Sequence, residues 1–271
     1  MLIGNYFKKI NSEYKNHYFS GISFNSAHVK KNFIFFAIKG NDDDGKKFIK
    51  DAIKNGAKTI VSNLKIEGFK KKILYIKSTN VRKLLAEITF HIQKLKPNKL
   101  IAVTGTNGKS SIADFYYQIL KINKKKVASI GTLGIKSIYK KIPMNNTTLD
   151  PVTLSLSLKK LKKQKINDVI LEASSHGLDQ NRLDGLLFDI GIFTNLSHDH
   201  LDYHKNLKLY LKSKLYLFDK LLKKNSSVIL DNKIPQYKAI KKICTKRKLN
   251  IISISDDKGN LQILSHKYLD N

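Results

Sequence analysis

The run Thr104-Gly105-Thr106-Asn107-Gly108-Lys109-Ser110 sets two glycines, a lysine and a hydroxyl between an apolar stretch, Leu100 to Thr104, and a helical pattern after Lys109. A glycine-rich turn at such a junction lets successive backbone N–H groups point at phosphate oxygens, and the helix N-terminus adds partial positive charge. Lys109 can then reach the β- and γ-phosphates of a nucleoside triphosphate, and the Ser110 hydroxyl can hold Mg²⁺. The run departs from the strict phosphate-loop pattern, whose first glycine position is Val103 here. The bland alternative is an ordinary strand-to-helix turn followed by a lysine, and the strand, loop, helix order weighs against it.

A second group of residues could complete such a site. Asp168 to Glu172 reads as a strand ending in a carboxylate, and an acidic residue at the carboxyl end of a parallel strand facing a phosphate loop is where a Mg²⁺ ligand belongs. An isolated strand-end glutamate is more often simply solvated. Arg182 carries a fork suited to a carboxylate or phosphate. Asn146, Thr147 and Thr148 precede Asp150-Pro151, where hydroxyls and an amide bind a carbonyl or phosphate, or simply cap a helix. Asn195 to His204 is the densest set of ligand types, with His198, Asp199, His200, Asp202 and His204, and taken alone it suggests zinc. Lys214 follows on a helical pattern with apolar residues at Leu207, Leu211, Leu215, Phe218 and Leu222, and by periodicity alone it is a face residue.

Taken together, these runs resemble the Mur ligase family, and within it the MurE type. Thr-Gly-Thr-Asn-Gly-Lys-Ser looks like the loop of Mur ligases and folylpolyglutamate synthases, which are ATP-dependent amide ligases. The resemblance implies triphosphate contacts for Gly105, Thr106, Asn107, Gly108, Lys109 and Ser110. Glu-Ala-Ser-Ser-His-Gly-Leu, with Gln180 and Arg182 after it, is similar to the MurE-type signature, and implies substrate contacts for Ser174, Gln180 and Arg182. Asn146, Thr147 and Thr148 carry over as further substrate contacts, with Leu149 where the family usually has proline. In the same way the resemblance implies that Ser110 and Glu172 hold one Mg²⁺ and that His200 helps hold a second. His198 stands where the type usually has arginine. In the family the lysine corresponding to Lys214 is carbamylated, an anion able to support the second metal; that chemistry requires a neutral amine, hence a desolvated or cation-flanked lysine. Lys212 is the competing candidate, and spacing from Tyr203-His204 favours Lys214.

The segment Ile22 to Gly45 resembles the uridine-binding domain of the MurE type. Asn25-Ser26-Ala27 replaces the usual Asp-Ser-Arg, leaving Ser26 as the uridine-contact candidate without its charged neighbours. The implied reaction is ATP-dependent ligation through an acyl-phosphate, adding diaminopimelate or L-lysine to UDP-N-acetylmuramoyl-L-alanyl-D-glutamate in peptidoglycan synthesis. Lys109, Glu172, His200 and Lys214 are the expected catalytic group. Nothing in the chain corresponds to the family's C-terminal domain, so the expectation is a two-domain piece, or a chain whose partner supplies the third domain. Two rivals are a non-catalytic nucleotide- or UDP-sugar-binding module and a folylpolyglutamate synthase-like ligase; the Asn-Thr-Thr and Ser-Ser-His-Gly-Leu runs match the latter poorly.

The elements that must position these residues follow an α/β order. Asn32 to Ile38, Lys58 to Ser62 and Ile73 to Ile76 read as strands, with helices near Phe48 to Asn55 and Asn80 to Leu95. The break at Lys94 to Lys99, with Pro97 and Asn98, separates a small N-terminal α/β domain (residues 1–96, for the UDP precursor) from a central ATP-binding domain (97–271). There, strands at Leu100 to Thr104, Val127 to Ile130, Asp168 to Glu172, Asp189 to Thr194, Ser227 to Leu230 and Asn250 to Ile254 alternate with helices. Such repetition predicts a phosphate-loop-type, mainly parallel sheet with helices on both faces.

The chain's 271 residues and 41% hydrophobic content suffice for two cores. Its formal charge of +30 is a pull toward nucleic acid or anionic membrane, but the excess is scattered lysine accompanied by abundant Asn and Ile. That distribution reads as a compositional bias, and the expectation is that neither nucleic acid nor membrane is a partner. Apolar runs fall far short of the ~20 residues that cross a bilayer, and no leader is recognisable, so the expected location is cytoplasmic. Cys244, the single cysteine, lies among Lys241, Lys242 and Lys246 in what reads as a solvated helix without a role.

Overall fold

The computed structural model describes residues 1–40, 43–255 and 259–262. The chain divides into two compact units, Met1–Lys94 and Leu95–Asn271.

The first unit is a five-stranded sheet built from β1 (Gly21–Ser23), β2 (Phe33–Phe36), β3 (Ala57–Ser62), β4 (Gly68–Lys70) and β5 (Ile73–Lys77), with α1 (Ile49–Lys54) and α2 (Val81–Ile92). The order is β1-β2-β3-β5-β4, parallel except where β4 runs against β5. Phe35, Ile60 and Ala52 meet in one core, which gives the β2 and β3 runs their apolar character. The short strands β1 and β4 lie in runs too brief for a period-2 signal. Ser26 opens a 3₁₀ turn, Ser26–His28, capped by the Asn25 side chain, which accepts from the Ala27 N–H. The asparagine thus caps the turn without a charge.

The second unit holds β6 (Lys99–Thr104), α3 (Lys109–Ile122), β7 (Val127–Gly131), β8 (Gly134–Ser137), β9 (Lys141–Ile142), α4 (Pro151–Lys163), β10 (Asp168–Glu172), α5 (Ser175–Asp179) and β11 (Phe188–Phe193). It continues through α6 (Leu201–His204), α7 (Leu207–Tyr216), β12 (Leu222–Asp231), α8 (Tyr237–Arg247), β13 (Asn250–Ser255) and β14 (Leu261–Gln262). The sheet order is β14-β13-β12-β11-β6-β10-β7-β8-β9, parallel through β7 and antiparallel in the β7-β8-β9 meander. Strand β6 sits between β11 and β10, so the carboxyl ends of three neighbouring strands face one region, where α/β sheets bind ligands.

Three local departures from expectation have physical causes. The helix expected to run from Leu207 to Leu222 ends at Tyr216 in a π-helical turn, Leu217–Leu221, that feeds directly into β12. The hairpin β8-β9 lies where no strand was expected; Gly134, at φ +92°, sits where a Cβ would come 2.3 Å from the Ile142 carbonyl oxygen. Cys244 is not solvated. It packs with Ile240 on the buried face of α8, 1% exposed, while the flanking lysines lie on the other side of the helix, a distinction that composition alone hides. No helix among the described residues is long and apolar enough to cross a membrane.

Candidate functional site

The phosphate loop joins β6 to α3 and is held in shape by the residues that follow β11. The Thr106 N–H donates to the Asn195 carbonyl (3.0 Å), the Asn107 N–H to Asn195 Oδ1 (3.0 Å), and Thr194 Oγ1 to the Asn107 carbonyl (2.6 Å). Thr106 Oγ1 accepts from the Ser197 N–H (3.0 Å) and lies 3.2 Å from the Tyr210 hydroxyl. Both polar groups of Thr106 are therefore engaged inside the protein, so it shapes the loop. Gly105 has φ +151°, and a Cβ there would come 1.7 Å from Thr194 Oγ1; Gly108, at φ +83°, precedes the first turn of α3. The N–H groups of that turn lack intrahelical acceptors and face outward along the axis.

Lys109 Nζ folds back onto the loop, donating to the carbonyls of Gly105 (3.0 Å) and Thr106 (2.7 Å). Burial lowers its pKa, against the raising influence of Glu172 and Asp199. Ser110 Oγ donates to Glu172 Oε2 at 2.9 Å, so the loop hydroxyl and the carboxylate at the end of β10 converge. Glu172 is 2% exposed and accepts from the Thr132 N–H (2.9 Å) and the Thr132 hydroxyl (3.2 Å). Gly131 leaves room for it: a Cβ there would stand 2.1 Å from Glu172 Oε1. Hydroxyl and carboxylate oxygens are the donors a hard divalent cation takes, so Ser110 and Glu172 fit Mg²⁺. Thr132 was missed from sequence, although its place at the carboxyl end of β7 is the same kind of signal, a polar residue at a strand end, that pointed to Glu172 at the end of β10.

Beyond Glu172 the chain knits a polar platform. Thr148 Oγ1 donates to the Glu172 carbonyl (2.8 Å), accepts from the Ser174 N–H (3.0 Å) and lies 3.0 Å from Ser174 Oγ. Ser174 Oγ also caps α5 through the Gly177 N–H (3.1 Å). Thr147 Oγ1 lies 3.0 Å from Thr132 Oγ1, and Asn146 is exposed. Arg182 donates through Nη1 to the Thr148 carbonyl (2.6 Å) and through Nε and Nη2 to Gln180 Oε1 (3.2 and 2.8 Å). The structure thus brings Thr147, Thr148, Ser174, Gln180 and Arg182 together around the end of β10. Ser26 belongs to the other unit.

On the other side of the loop stand the histidines. His200 lies in the left-handed region (φ +52°), its exposed side chain in ring contact with His176 (5.0 Å) and Tyr210 (6.2 Å), with Nε2 3.4 Å from Asp199 Oδ2. His198 is exposed. Among the described residues no three His, Cys, Asp or Glu side chains converge as a metal-binding group. Lys214 is 1% exposed, donates to the Gly105 carbonyl at 2.6 Å and lies 4.2 Å above the Tyr210 ring. Burial, aided by the charge of Lys109, lowers its pKa to about 7. Lys212, two residues earlier, faces solvent. The fold thus separates the two candidates, making Lys214 the desolvated, cation-flanked amine.

Residues 103–269 match the model of the Mur ligase middle domain, and residues 18–91 that of the Mur ligase family catalytic domain. The chain is 39% identical over 255 residues to the UDP-N-acetylmuramoyl-L-alanyl-D-glutamate--2,6-diaminopimelate ligase of Rickettsia conorii, covering 92% of this chain and 52% of that protein. It is 36% identical over 249 residues to the enzyme of the same name from Zymomonas mobilis, covering 91% and 50%. A solved structure of a ligase of that name superposes with a TM-score of 0.79 at 30% identity, covering 92% of this chain and 51% of that one. The chain spans about half the length of the curated relatives it matches.

Proposed function

Because the chain belongs to the Mur ligase family, we propose that it carries the precursor- and ATP-binding parts of a ligase that adds diaminopimelate or L-lysine to UDP-N-acetylmuramoyl-L-alanyl-D-glutamate. The observation that carries this reading is the 2.9 Å contact between Ser110 and Glu172, which joins a phosphate loop to a strand-end carboxylate. The names of the relatives favour diaminopimelate over lysine.

In this reading the start of α3 and Lys109 bind the triphosphate, Lys109 leaving the carbonyls of Gly105 and Thr106 for phosphate oxygens. Ser110 and Glu172 would hold Mg²⁺, whose charge would offset that of the phosphates. Ser174, Gln180, Arg182 and the Asn146–Thr148 turn hold the acceptor peptide, so that its glutamyl carboxylate is positioned to attack the γ-phosphate. That attack releases ADP; an incoming amine then adds to the acyl carbon of the acyl-phosphate, forming the amide bond and releasing phosphate and a proton. Positioning and charge stabilisation do most of the work. Lys214, with its pKa lowered to about 7, holds a substantial neutral fraction at neutral pH and is suited to add to CO₂, forming an N–C bond and releasing a proton; the carbamate and His200 would hold the second cation. Ser26 is the contact offered to the uridine nucleotide.

Calorimetric titration with a non-hydrolysable ATP analogue plus Mg²⁺, with and without UDP-N-acetylmuramoyl-L-alanyl-D-glutamate, tests the reading. Saturable nucleotide binding that Lys109→Ala abolishes, together with separate binding of the muramoyl dipeptide, is the expected result. Failure to bind either ligand overturns it.

A further inference from the structure

The end of β6 carries a buried group that the reading above leaves unused. Thr104, the last residue of that strand, is 0% exposed, and its Oγ1 has no hydrogen-bond partner among the described residues. A buried hydroxyl without a partner is destabilising, so its retention calls for an explanation. Its direction follows from the strand pattern. Ile101 and Val103 pack with Ala113 of α3 on one face of the sheet, so Thr104, the residue after Val103, points to the other face. Phe193, its partner in the register of β11, shares that face, with its ring 6.2 Å from that of Phe218 in the π-helical turn after α7.

The Thr104 hydroxyl thus stands on the face that the end of α7 covers, one residue before Gly105, whose carbonyl accepts from Lys214 Nζ at 2.6 Å. The surroundings of Lys214 suit an ammonium, with that carbonyl to receive a proton bond and the Tyr210 ring 4.2 Å away. They offer far less to an anion. Ser213 Oγ donates to the Tyr210 carbonyl at 2.7 Å, and the Thr106 and Tyr210 hydroxyls meet each other at 3.2 Å. Lys109, the neighbouring cation, is assigned to the triphosphate. Of the hydroxyls of Thr104, Thr106, Tyr210 and Ser213, that of Thr104 alone lacks a partner among the described residues. A buried anion needs such donors in place of the water it has lost.

We propose that Thr104 is a positioning residue for a carbamate on Lys214, its hydroxyl donating to a carbamate oxygen while the carbamate N–H keeps the Gly105 carbonyl. The orphaned hydroxyl and the buried amine then explain each other. Addition of CO₂ to Nζ creates an acceptor where the unmodified chain has none, and the hydroxyl fixes the direction in which the new carboxylate points. The inference rests on the carbamate reading of Lys214 and deepens it, naming a group that makes a buried anion tolerable at a position 1% exposed.

The test is titration of the full chain with isotopically labelled bicarbonate at fixed pH, read as the carbamate NMR signal, in the wild type, Thr104→Val and Thr104→Ser. The expected result is that half-occupancy needs about tenfold more bicarbonate or worse in Thr104→Val, and stays within about threefold of the wild type in Thr104→Ser, which restores the hydroxyl. A purely structural role for Thr104 would not produce that rescue. Denaturant unfolding in CO₂-depleted buffer gives the second readout. There Thr104→Val is at least as stable as the wild type, because it loses only an unpartnered hydroxyl. Unchanged occupancy in Thr104→Val overturns the proposal, as does equal loss in Thr104→Ser, or a lower unfolding midpoint for Thr104→Val without CO₂. A wild type that binds the ATP analogue but gives no carbamate signal removes the carbamate reading and this inference with it, while the ligase assignment stands. A carbamate present in the wild type and undiminished in Thr104→Val counts against the role of Thr104 alone.

Discussion

Lys214 and Gly105 share a hydrogen bond of 2.6 Å, from the buried side chain of α7 to the first glycine carbonyl of the phosphate loop. The same carbonyl accepts from Lys109 at 3.0 Å. Two lysines thus converge on one oxygen, and their mutual repulsion adds to burial in lowering the pKa of Lys214 to about 7.

This pairing predicts a pH-dependent stability. The unfolded chain keeps its lysine pKa near about 10.4, so between pH about 7 and about 10 the unfolded form holds a proton at this position that the folded form has lost. Unfolding free energy therefore rises with pH across that window, by up to about 1.4 kcal/mol per pH unit from this group, and the contribution is flat below it. Lys214→Met removes that slope, as denaturant unfolding across the window checks. The wild type incubated with isotopically labelled bicarbonate gives a carbamate NMR signal that Lys214→Met lacks.

Gly131→Ala puts a methyl group where Glu172 Oε1 now lies, 2.1 Å from the built Cβ. The carboxylate must move away from Ser110. Mg²⁺-dependent nucleotide affinity falls about 10- to 100-fold, while binding without Mg²⁺ changes little. Paired titrations with and without the metal measure the difference.

Lys205, between α6 and α7, adopts φ +66° and ψ −37°, and the Asn206 N–H reaches back to the His204 carbonyl at 2.8 Å. This is the tight γ-turn that residues with a Cβ adopt under strain. Lys205→Gly releases about 1–2 kcal/mol, seen as a rise in the midpoint of denaturant unfolding. Unchanged or lower stability refutes the assignment of strain.

Cys244 is buried and its thiol is pushed up to about 11 by desolvation. Thiolate is the reactive form, so a thiol reagent labels the native protein slowly and the denatured protein fully. Rapid stoichiometric labelling of the native chain contradicts the buried placement on α8.

By itself the sequence determined the elements whose signals are local. The phosphate loop declares itself through glycine spacing and the helix after it, and Glu172 through its position at the end of an apolar run. The alternation of strands and helices predicted a parallel sheet, and the nine-stranded sheet is parallel from β14 through β7. What tertiary structure alone decided is which side chains leave water. Periodicity made Lys214 a face residue, yet the close approach of α7 to the phosphate loop buries it, while Lys212 stays exposed. Composition put Cys244 in solvent; packing of one face of α8 removes it. Thr132, Thr194 and Tyr210 support the loop and Glu172 from the residues just after β7 and β11 and from α7. Their roles depend on hydrogen bonds closing across 40 to 104 residues of sequence, and desolvation and long-range hydrogen bonding are properties of the assembled sheet, which no local pattern of residues encodes.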